Sequence, residues 1–285
     1  MSKNCPIMQR IKVNYESRSR NFLTRRVPVI MRLDGKAFHT YTRGLDKPFD
    51  EGLIEDMQQT AIHLCQNIQG AKCAYVQSDE ISILITDYDT LTTDAWFDYN
   101  IQKMTSISAS LATGKFNQLR YTRKASVYEE PYFEEFIREI VIANFDSRVF
   151  NIPKEEVANY FLARQKDAVK NSISMLAQSL YSHKELHLKN SNEMQEMCFQ
   201  KGHNWNDLHW SKKRGSFIIK NTYVNDKLLK SPFELRENDN LVFIGQPTKE
   251  EYDYYGDLTN KTIRTKWEIV ETPLTFNEAN FKNWV

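Results

Sequence analysis

Residues 27–39, VPVIMRLDGKAFH, are the stretch of sequence that decides the fold. Their first half, residues 27–33, is short, apolar and rich in β-branched side chains, which predicts a buried strand. Asp34 and Gly35 follow directly, and the glycine permits a tight backbone turn that a side chain would hinder. The stretch therefore predicts a core strand that ends in a carboxylate and a turn.

A second carboxylate lies at the tip of a predicted β-hairpin. Residues 74–76 and 81–85 are apolar and flank the polar stretch 77–80, QSDE, which indicates two strands joined by a short turn. If the hairpin pairs beside the first strand, Asp34 and Asp79 meet at one edge of the sheet. Two carboxylates that close repel each other unless a cation neutralises them, and Mg²⁺ prefers such oxygen ligands. The pattern favours a magnesium site, although acidic residues in turns commonly hold no ion.

The turn after the first strand carries groups suited to phosphate. Backbone N–H groups of a glycine-containing turn can cradle a phosphate, and Lys36 adds a positive charge. The sequence leaves two roles open for Phe38, packing in the core or contact with a base. For His39 it leaves open contact with a nucleotide or a place on the surface.

The elements around this stretch predict an α+β fold. Apolar residues at three- and four-residue spacing predict helices at residues 50–70, at 94–112 with Gly114 closing the second, and from Pro153 to about residue 180. Further predictions are a strand at 139–145, a short helix at 192–200, and strands at 216–224 and 241–244. The resulting order favours a mostly antiparallel sheet with two helices on one face, an arrangement shared by polymerase palms and nucleotide cyclases but not specific to them.

We divide the chain at residue 150. Residues 1–150 are expected to form a palm-like catalytic core. Residues 151–285 are expected to form an extension of helices and strands that packs on this core as one compact unit. The tail from residue 259 shows no pattern that predicts an element.

Net charge predicts no class of partner, because 38 basic and 37 acidic side chains leave a charge of +1. Basic residues do cluster locally, which is typical either of a phosphate-binding surface or of solvated helix faces. The clusters are Arg10, Lys12, Arg18, Arg20, Arg25 and Arg26; Lys115, Arg120, Arg123 and Lys124; and Lys212, Lys213 and Arg214.

The cysteines and the hydropathy pattern indicate the compartment. Four cysteines, none in a C-x-x-C pair, predict neither a zinc site nor a disulfide framework. The sequence has no charged-then-apolar leader and no apolar run of about 18 residues, the length that a membrane span needs. We expect a reduced, soluble, cytoplasmic enzyme.

Several short motifs occur in a fixed order along the chain. They are residues 31–39 (MRLDGKAFH), 47–50 (KPFD), 75–82 (YVQSDEIS), 145–148 (FDSR), 164–167 (RQKD) and 213–215 (KRG). Together they resemble the tRNA-His guanylyltransferase superfamily over roughly residues 8–220. The resemblance is to the guanylyltransferase-like proteins of bacteria, archaea and phages in particular.

The resemblance implies a palm-like fold, a homotetramer and addition of nucleotides to tRNA in the 3′-to-5′ direction. It implies that Asp34, Asp79 and the backbone carbonyl of Gly35 hold two Mg²⁺ ions, and that Glu80 supports the hairpin or the metal site. ATP, GTP and other nucleoside triphosphates are the implied substrates. The implied nucleotide-binding residues are Asp34, Gly35, Lys36, Ala37, Phe38, His39, Lys47, Ser78, Asp79 and Lys103. RNA contacts are expected at Arg148, Arg164, Lys213 and Arg214.

Two departures from the family pattern bear on the reaction. Eukaryotic members carry His-Ile-Asn-Asn where this chain has Val169-Lys170-Asn171-Ser172, and two arginines near Lys103 are replaced by Tyr99 and Asn100. Both differences favour template-dependent repair of truncated tRNA 5′ ends over the non-templated reaction on tRNA-His. The alternatives that remain are single guanylate addition to tRNA-His, a nucleotide cyclase on the same palm, and an RNA-binding protein without catalysis.

Overall fold

The centre of the structure is an antiparallel sheet. The computed structural model describes residues 6–125, 141–228, 233–236, 240–243, 262–273, 275–277 and 281. In that part of the chain, seven strands form one sheet in the order β4-β1-β3-β2-β5-β6, with β9 also pairing with β5, while β7 and β8 pair separately. The nine strands are β1 Val29–Gly35, β2 Ala71–Gln77, β3 Glu80–Ile85, β4 Phe145–Asn151, β5 Ser216–Val224, β6 Lys227–Leu228, β7 Phe233–Arg236, β8 Asn240–Phe243 and β9 Ile263–Glu271.

Helices connect and cover these strands. In the described ranges they are α1 Pro6–Asn14, α2 Phe38–Tyr41, α3 Glu51–Asn67, α4 Ile101–Ala125, α5 Val157–Leu180, α6 His183–Leu186, α7 Ser191–Gln200 and α8 Trp210–Arg214. Short 3₁₀ turns lie at Glu16–Ser19, Trp96–Tyr99, Lys154–Glu156 and Trp205–Asp207. None of the described helices is long and apolar enough to cross a membrane.

Both faces of the sheet are covered. Helices α3 and α4 pack on one face, where Met31 and Leu33 of β1 contact a core that includes Leu64 and Phe116. Helix α5 packs on the other face, where Ile30 belongs to a second apolar cluster. Successive side chains of a strand point to opposite faces of the sheet. A strand covered on both faces therefore needs consecutive apolar residues to pack against the apolar cluster on each face. The prediction of an α+β fold with an antiparallel sheet covered by helices is confirmed.

Local signals placed several elements correctly. Asp50 caps α3 by accepting a hydrogen bond from the Leu53 backbone N–H at 2.6 Å, and Gly70, with φ +81°, turns the chain after the helix. The hairpin of β2 and β3 is joined by Ser78 and Asp79, as the polar stretch predicts. Helices near residues 153–180 and 192–200, and strands near 216–224 and 241–244, are likewise confirmed.

The helix predicted at residues 94–112 has the wrong start. Phe97, Asp98 and Tyr99 adopt left-handed φ angles of 51°, 53° and 55°, so they form a separate turn before α4 begins at Ile101. Phe97 in this turn is 40% exposed.

The predicted end of this helix at Gly114 is also wrong. Helix α4 continues through Gly114 to Ala125, and Phe116 and Arg120 beyond the glycine are buried. Tertiary packing of these side chains outweighs the cost of about 1 kcal/mol for a glycine inside a helix.

The strand predicted at residues 139–145 is wrong in its described part. Residues 139 and 140 lie outside the described residues, and residues 141–144 form no regular element before β4 begins at Phe145. Val141 and Ile142 are 64% and 55% exposed, so their apolar character does not reflect burial. The main chain of Ala143 is instead bound by the side-chain amide of Asn117.

The tail contains a strand that the sequence did not predict. Strand β9 pairs with β5 along its whole length, from Ser216 opposite Glu271 to Val224 opposite Ile263. Its side chains are mostly exposed or half-buried, so it carries little apolar periodicity. The division of the chain at residue 150 stays a prediction.

Leu64 tests the packing of α3 on the sheet. Leu64 is fully buried, whereas Leu91 is 92% exposed. Leu64→Ala is expected to lower the free energy of unfolding by about 2–5 kcal/mol, because it removes buried apolar contacts and leaves a cavity. Leu91→Ala is expected to change it by less than about 0.5 kcal/mol. Urea unfolding followed by circular dichroism measures both, and equal effects would contradict the packing described here.

Candidate active site

The two predicted carboxylates lie together at one edge of the sheet. Strand β1 pairs with β3 so that Asp34 stands opposite Glu80, the residue after Asp79. The backbone N–H of Gly35 donates to the carbonyl oxygen of Asp79 at 3.1 Å. Asp34 and Asp79 are both half-buried. The convergence expected from the sequence is therefore present.

The electrostatics of this edge suit a cation. Burial raises the pKa of Asp79, and the charge of nearby Asp34 adds to that rise, against hydrogen bonds from its own backbone N–H and from Ser78. A cation would relieve both the burial cost and the repulsion. Within the described residues, no group of three or more His, Cys, Asp or Glu side chains is placed to hold a metal ion. One or two carboxylates completed by substrate phosphates form the ligand set typical of Mg²⁺, which Asp34 and Asp79 fit.

Glu80 has a different position from the two aspartates. It is buried between two arginines, with its carboxylate 2.9 Å from Arg32 Nε and 2.8 Å from Arg164 Nε. Arg164 also donates to it from a terminal nitrogen at 2.9 Å. Burial raises the pKa of Glu80, and the two arginines oppose that rise. Because Arg164 lies on α5, Glu80 ties this helix to the hairpin. The resemblance also implies that Glu80 is catalytic together with Asp34 and Asp79, and that role stays a prediction.

The turn after β1 uses two of its backbone N–H groups in hydrogen bonds within the protein. The Gly35 N–H is bound to Asp79, and the Lys36 N–H donates to the Asn144 carbonyl at 2.8 Å. These two N–H groups are thus used inside the fold. The side chains of Lys36 and His39 are exposed, and Ala37 between them has a left-handed φ of 54°.

Phe38 packs in the core. Its ring lies 5.0–5.6 Å from the rings of Tyr41, Phe116 and Phe145, measured between centroids. It covers Gly35 so closely that a Cβ built there would lie 2.2 Å from the Phe38 ring. Of the two roles left open by the sequence, core packing is therefore the one observed.

A groove of about 750 Å³ opens beside the carboxylates. One wall runs from β1 to the start of α3 and includes the hairpin tip. Seven of the predicted site residues line this groove: Gly35, Ala37, Phe38, His39, Lys47, Ser78 and Asp79. Asp34 does not line the groove; it directly precedes Gly35, which does, and stands opposite Glu80 on the neighbouring strand.

The opposite wall was not found from the sequence. It is formed by the exposed polar face of α5, with Asn171, Gln178 and Ser179, and by Lys212 and Gly215 at the end of α8. Neutral amides on a solvated helix face give no sequence signal that separates a groove from an ordinary surface. The motif at residues 213–215 did mark this part of the chain, but the sequence analysis gave Gly215 no role.

Other predicted residues lie away from the groove or are already engaged. Lys103 is in the first turn of α4, where its Nζ atom is 5.7 Å from the Phe97 ring. Arg148 pairs with Asp146 at 2.8 Å. Lys213 donates from Nζ to the Asn206 carbonyl at 2.6 Å. Roles in nucleotide or RNA binding for these residues, and for Arg164 and Arg214, stay predictions.

Several known proteins similar to this chain share one family description. A family model described as tRNAHis guanylyltransferase matches residues 8–153. A bacterial tRNA(His) guanylyltransferase-like protein in complex with GTP is 40% identical, with a TM-score of 0.69 over 99% of this chain and 97% of that one. Another, in complex with ATP, is 49% identical, with a TM-score of 0.66 over 75% of this chain and 86% of that one.

A curated relative extends the comparison to eukaryotes. A probable tRNA(His) guanylyltransferase of Dictyostelium discoideum is 26% identical over 215 residues, which is 70% of this chain and 78% of the relative.

The two carboxylate partners of Arg164 form a matched pair for testing the position of α5. Glu80 is buried, with 6% of its side chain exposed, whereas the Asp167 side chain is 44% exposed. Glu80→Ala is expected to lower the free energy of unfolding by about 3–5 kcal/mol, because it removes the buried carboxylate between two arginines and leaves Arg164 with only the more exposed Asp167 as a partner. Asp167→Ala is expected to cost less than about 1 kcal/mol. Chemical denaturation checks both, and a small effect of Glu80→Ala would remove the anchoring role.

Proposed function

This chain belongs to the tRNA-His guanylyltransferase family and is a nucleotidyltransferase; from that premise we propose that it adds nucleotides to the 5′ end of tRNA in the 3′-to-5′ direction. The opposite strand of the acceptor stem would select each nucleotide, so that truncated 5′ ends are repaired. The meeting of Asp34 and Asp79 at one edge of the sheet, where Gly35 and Asp79 line the groove, is the observation that carries this proposal.

Two Mg²⁺ ions are part of the proposal. Asp34, Asp79 and the Gly35 carbonyl would hold them. Bound there, they would neutralise phosphate charge and stabilise the attacking and leaving oxygens of phosphoryl transfer. The two carboxylates would hold this positive charge at the hairpin tip, where Ser78 and Asp79 line the groove. The site thus acts mainly by positioning and electrostatics.

Nucleoside triphosphates fit the groove. Its volume of about 750 Å³ lies in the range of about 300–1,000 Å³ typical of small-molecule sites. Lys47, His39 and Lys212 supply positive or hydrogen-bonding groups along it, and Lys36 lies beside it. The bacterial relatives in complex with ATP and GTP support the same use of the groove here.

The proposed reaction has two steps. An oxygen of the RNA 5′-monophosphate first attacks the α-phosphorus of ATP, and pyrophosphate leaves. The 3′-hydroxyl of an incoming nucleoside triphosphate then attacks the adenylylated 5′-phosphate, AMP leaves, and the hydroxyl proton is released. The product carries one more nucleotide, with its triphosphate at the new 5′ end. If the RNA begins with a triphosphate, pyrophosphate leaves in place of AMP.

Partners and setting follow from the family. We propose that the chain works on tRNA as a homotetramer in the cytoplasm. Phosphate contacts and shape would hold the RNA, because base pairing leaves the protein no need to read the sequence. The replacement of the family's His-Ile-Asn-Asn motif by Val169-Lys170-Asn171-Ser172 supports templated addition over addition specific to tRNA-His.

The two aspartates give the direct test of the site. Asp34→Asn and Asp79→Asn are each expected to reduce nucleotide addition by about 10³-fold or more, as loss of an essential electrostatic stabiliser does. Both should stay folded, because each keeps the shape of the side chain. Asp94→Asn, an exposed aspartate in the loop after β3 at the far end of the sheet, is the matched control. Single-turnover assays with labelled RNA measure the rates, and activity near that of the wild type in either folded mutant would remove this mechanism.

The template dependence is tested with RNA. The protein is incubated with 5′-truncated tRNAs that carry each of the four bases opposite the missing position, together with ATP, labelled nucleotides and Mg²⁺. Sequencing is expected to show that the added nucleotide follows the opposing base. Addition of guanylate alone, whatever the opposing base, would contradict templated repair. A cyclic nucleotide formed without RNA would contradict addition to RNA altogether.

A further inference from the structure

Residues 213–216, from the end of α8 to the start of β5, are fixed by side chains from four separate parts of the chain. The carbonyl of Lys213 accepts a hydrogen bond from Ser172 Oγ of α5 at 3.1 Å, and that of Arg214 accepts one from the Tyr75 hydroxyl of β2. The carbonyl of Gly215 accepts one from Thr272 Oγ1 at 2.7 Å. Ser216 Oγ accepts one from Gln58 Nε2 of α3 at 2.6 Å.

Gly215 is the most constrained of these residues. Its φ is +78°, and a Cβ built on it would lie 2.4 Å from the carbonyl oxygen of Val76. The backbone therefore approaches β2 as closely as a glycine allows. Gly215 also lines the groove, as do Lys212, Ser78 and Asp79.

The bond to Gly215 comes from the tail of the chain. Thr272 directly follows β9 and is 1% exposed. The next residue, Pro273, is bound in turn, because its carbonyl accepts a hydrogen bond from the Gln165 side chain of α5. The two residues after β9 are thus bound to two neighbouring parts of the groove: Thr272 to Gly215, and Pro273 to α5.

We propose that Thr272 is a positioning residue for nucleotide binding, and that its hydroxyl holds the Gly215 backbone in place against the bound nucleotide. This inference rests on the proposed function only in taking the groove as the nucleotide site. It gives the strand that the sequence did not predict a role in the active site, because the residue that follows β9 fixes the backbone of Gly215, which lines the groove.

The test measures nucleotide binding. The dissociation constant of a fluorescent GTP analogue with Mg²⁺ is compared for the wild type, Thr272→Val and Thr272→Ser. Thr272→Val keeps the shape and removes the hydroxyl, and is expected to weaken binding about fivefold, the size of one lost hydrogen bond. Thr272→Ser restores the hydroxyl and is expected to stay within about twofold of the wild type. Thr265→Val, at an exposed position of the same strand opposite Thr222, is the matched control and should bind as the wild type does.

Thermal unfolding of each variant separates positioning from a purely structural role. All binding is measured at a temperature at which the variant is folded. If Thr272→Val lowers the melting temperature but binds the nucleotide as tightly as the wild type, the inference is overturned. Failure of Thr272→Ser to restore affinity would also overturn it. If Thr272→Val does not fold, Thr272→Ala replaces it, because its smaller side chain leaves room for a water at the Gly215 carbonyl.

The binding assay does not depend on RNA. A wild-type protein that binds the analogue but adds nothing to tRNA would refute the proposed function. The comparison of Thr272 variants would still decide the present inference, so the two outcomes are distinguishable.

Discussion

The antiparallel pairing of β1 with β3 is the constraint on which the site depends. It sets Asp34 opposite Glu80 and thereby brings Asp79 to the same edge. Met31 and Leu33 face one apolar layer while Ile30 faces the other, so both faces of β1 fix its register. A slip of one residue would move every side chain of the strand to the wrong face, Asp34 included. The packing that stabilises the sheet is thus also what holds the two carboxylates together.

The face of the sheet under α5 combines apolar packing with buried charge. Glu80 and its two arginines lie there, and Ser82 forms a hydrogen bond with Tyr160 of α5 at 2.9 Å. Removing charges from water is costly, and such a cluster persists only when its members are paired. Here the paired charges hold α5 beside the hairpin. The helix can therefore present neutral amides to the groove while the hairpin presents carboxylates.

The sequence predicted what is local and missed what depends on long-range pairing. The end of β1 and the tip of the hairpin are marked by apolar runs that stop at polar residues, so the meeting of Asp34 and Asp79 was predictable. The wall at Gly215 was not, because it depends on Thr272, a residue 57 positions away in a tail without apolar periodicity. The limits of α4 were misplaced because Gly114 is a weak stop signal when buried side chains follow it.

The contact between Gly35 and Phe38 has a consequence for the evolution and engineering of this loop. The Phe38 ring occupies the space into which any side chain at position 35 would project. The two positions are therefore epistatic: a larger residue at 35 is tolerable only if the ring at 38 is replaced at the same time. Libraries that vary position 35 alone will recover glycine, whereas joint variation of positions 35 and 38 reaches alternative loops.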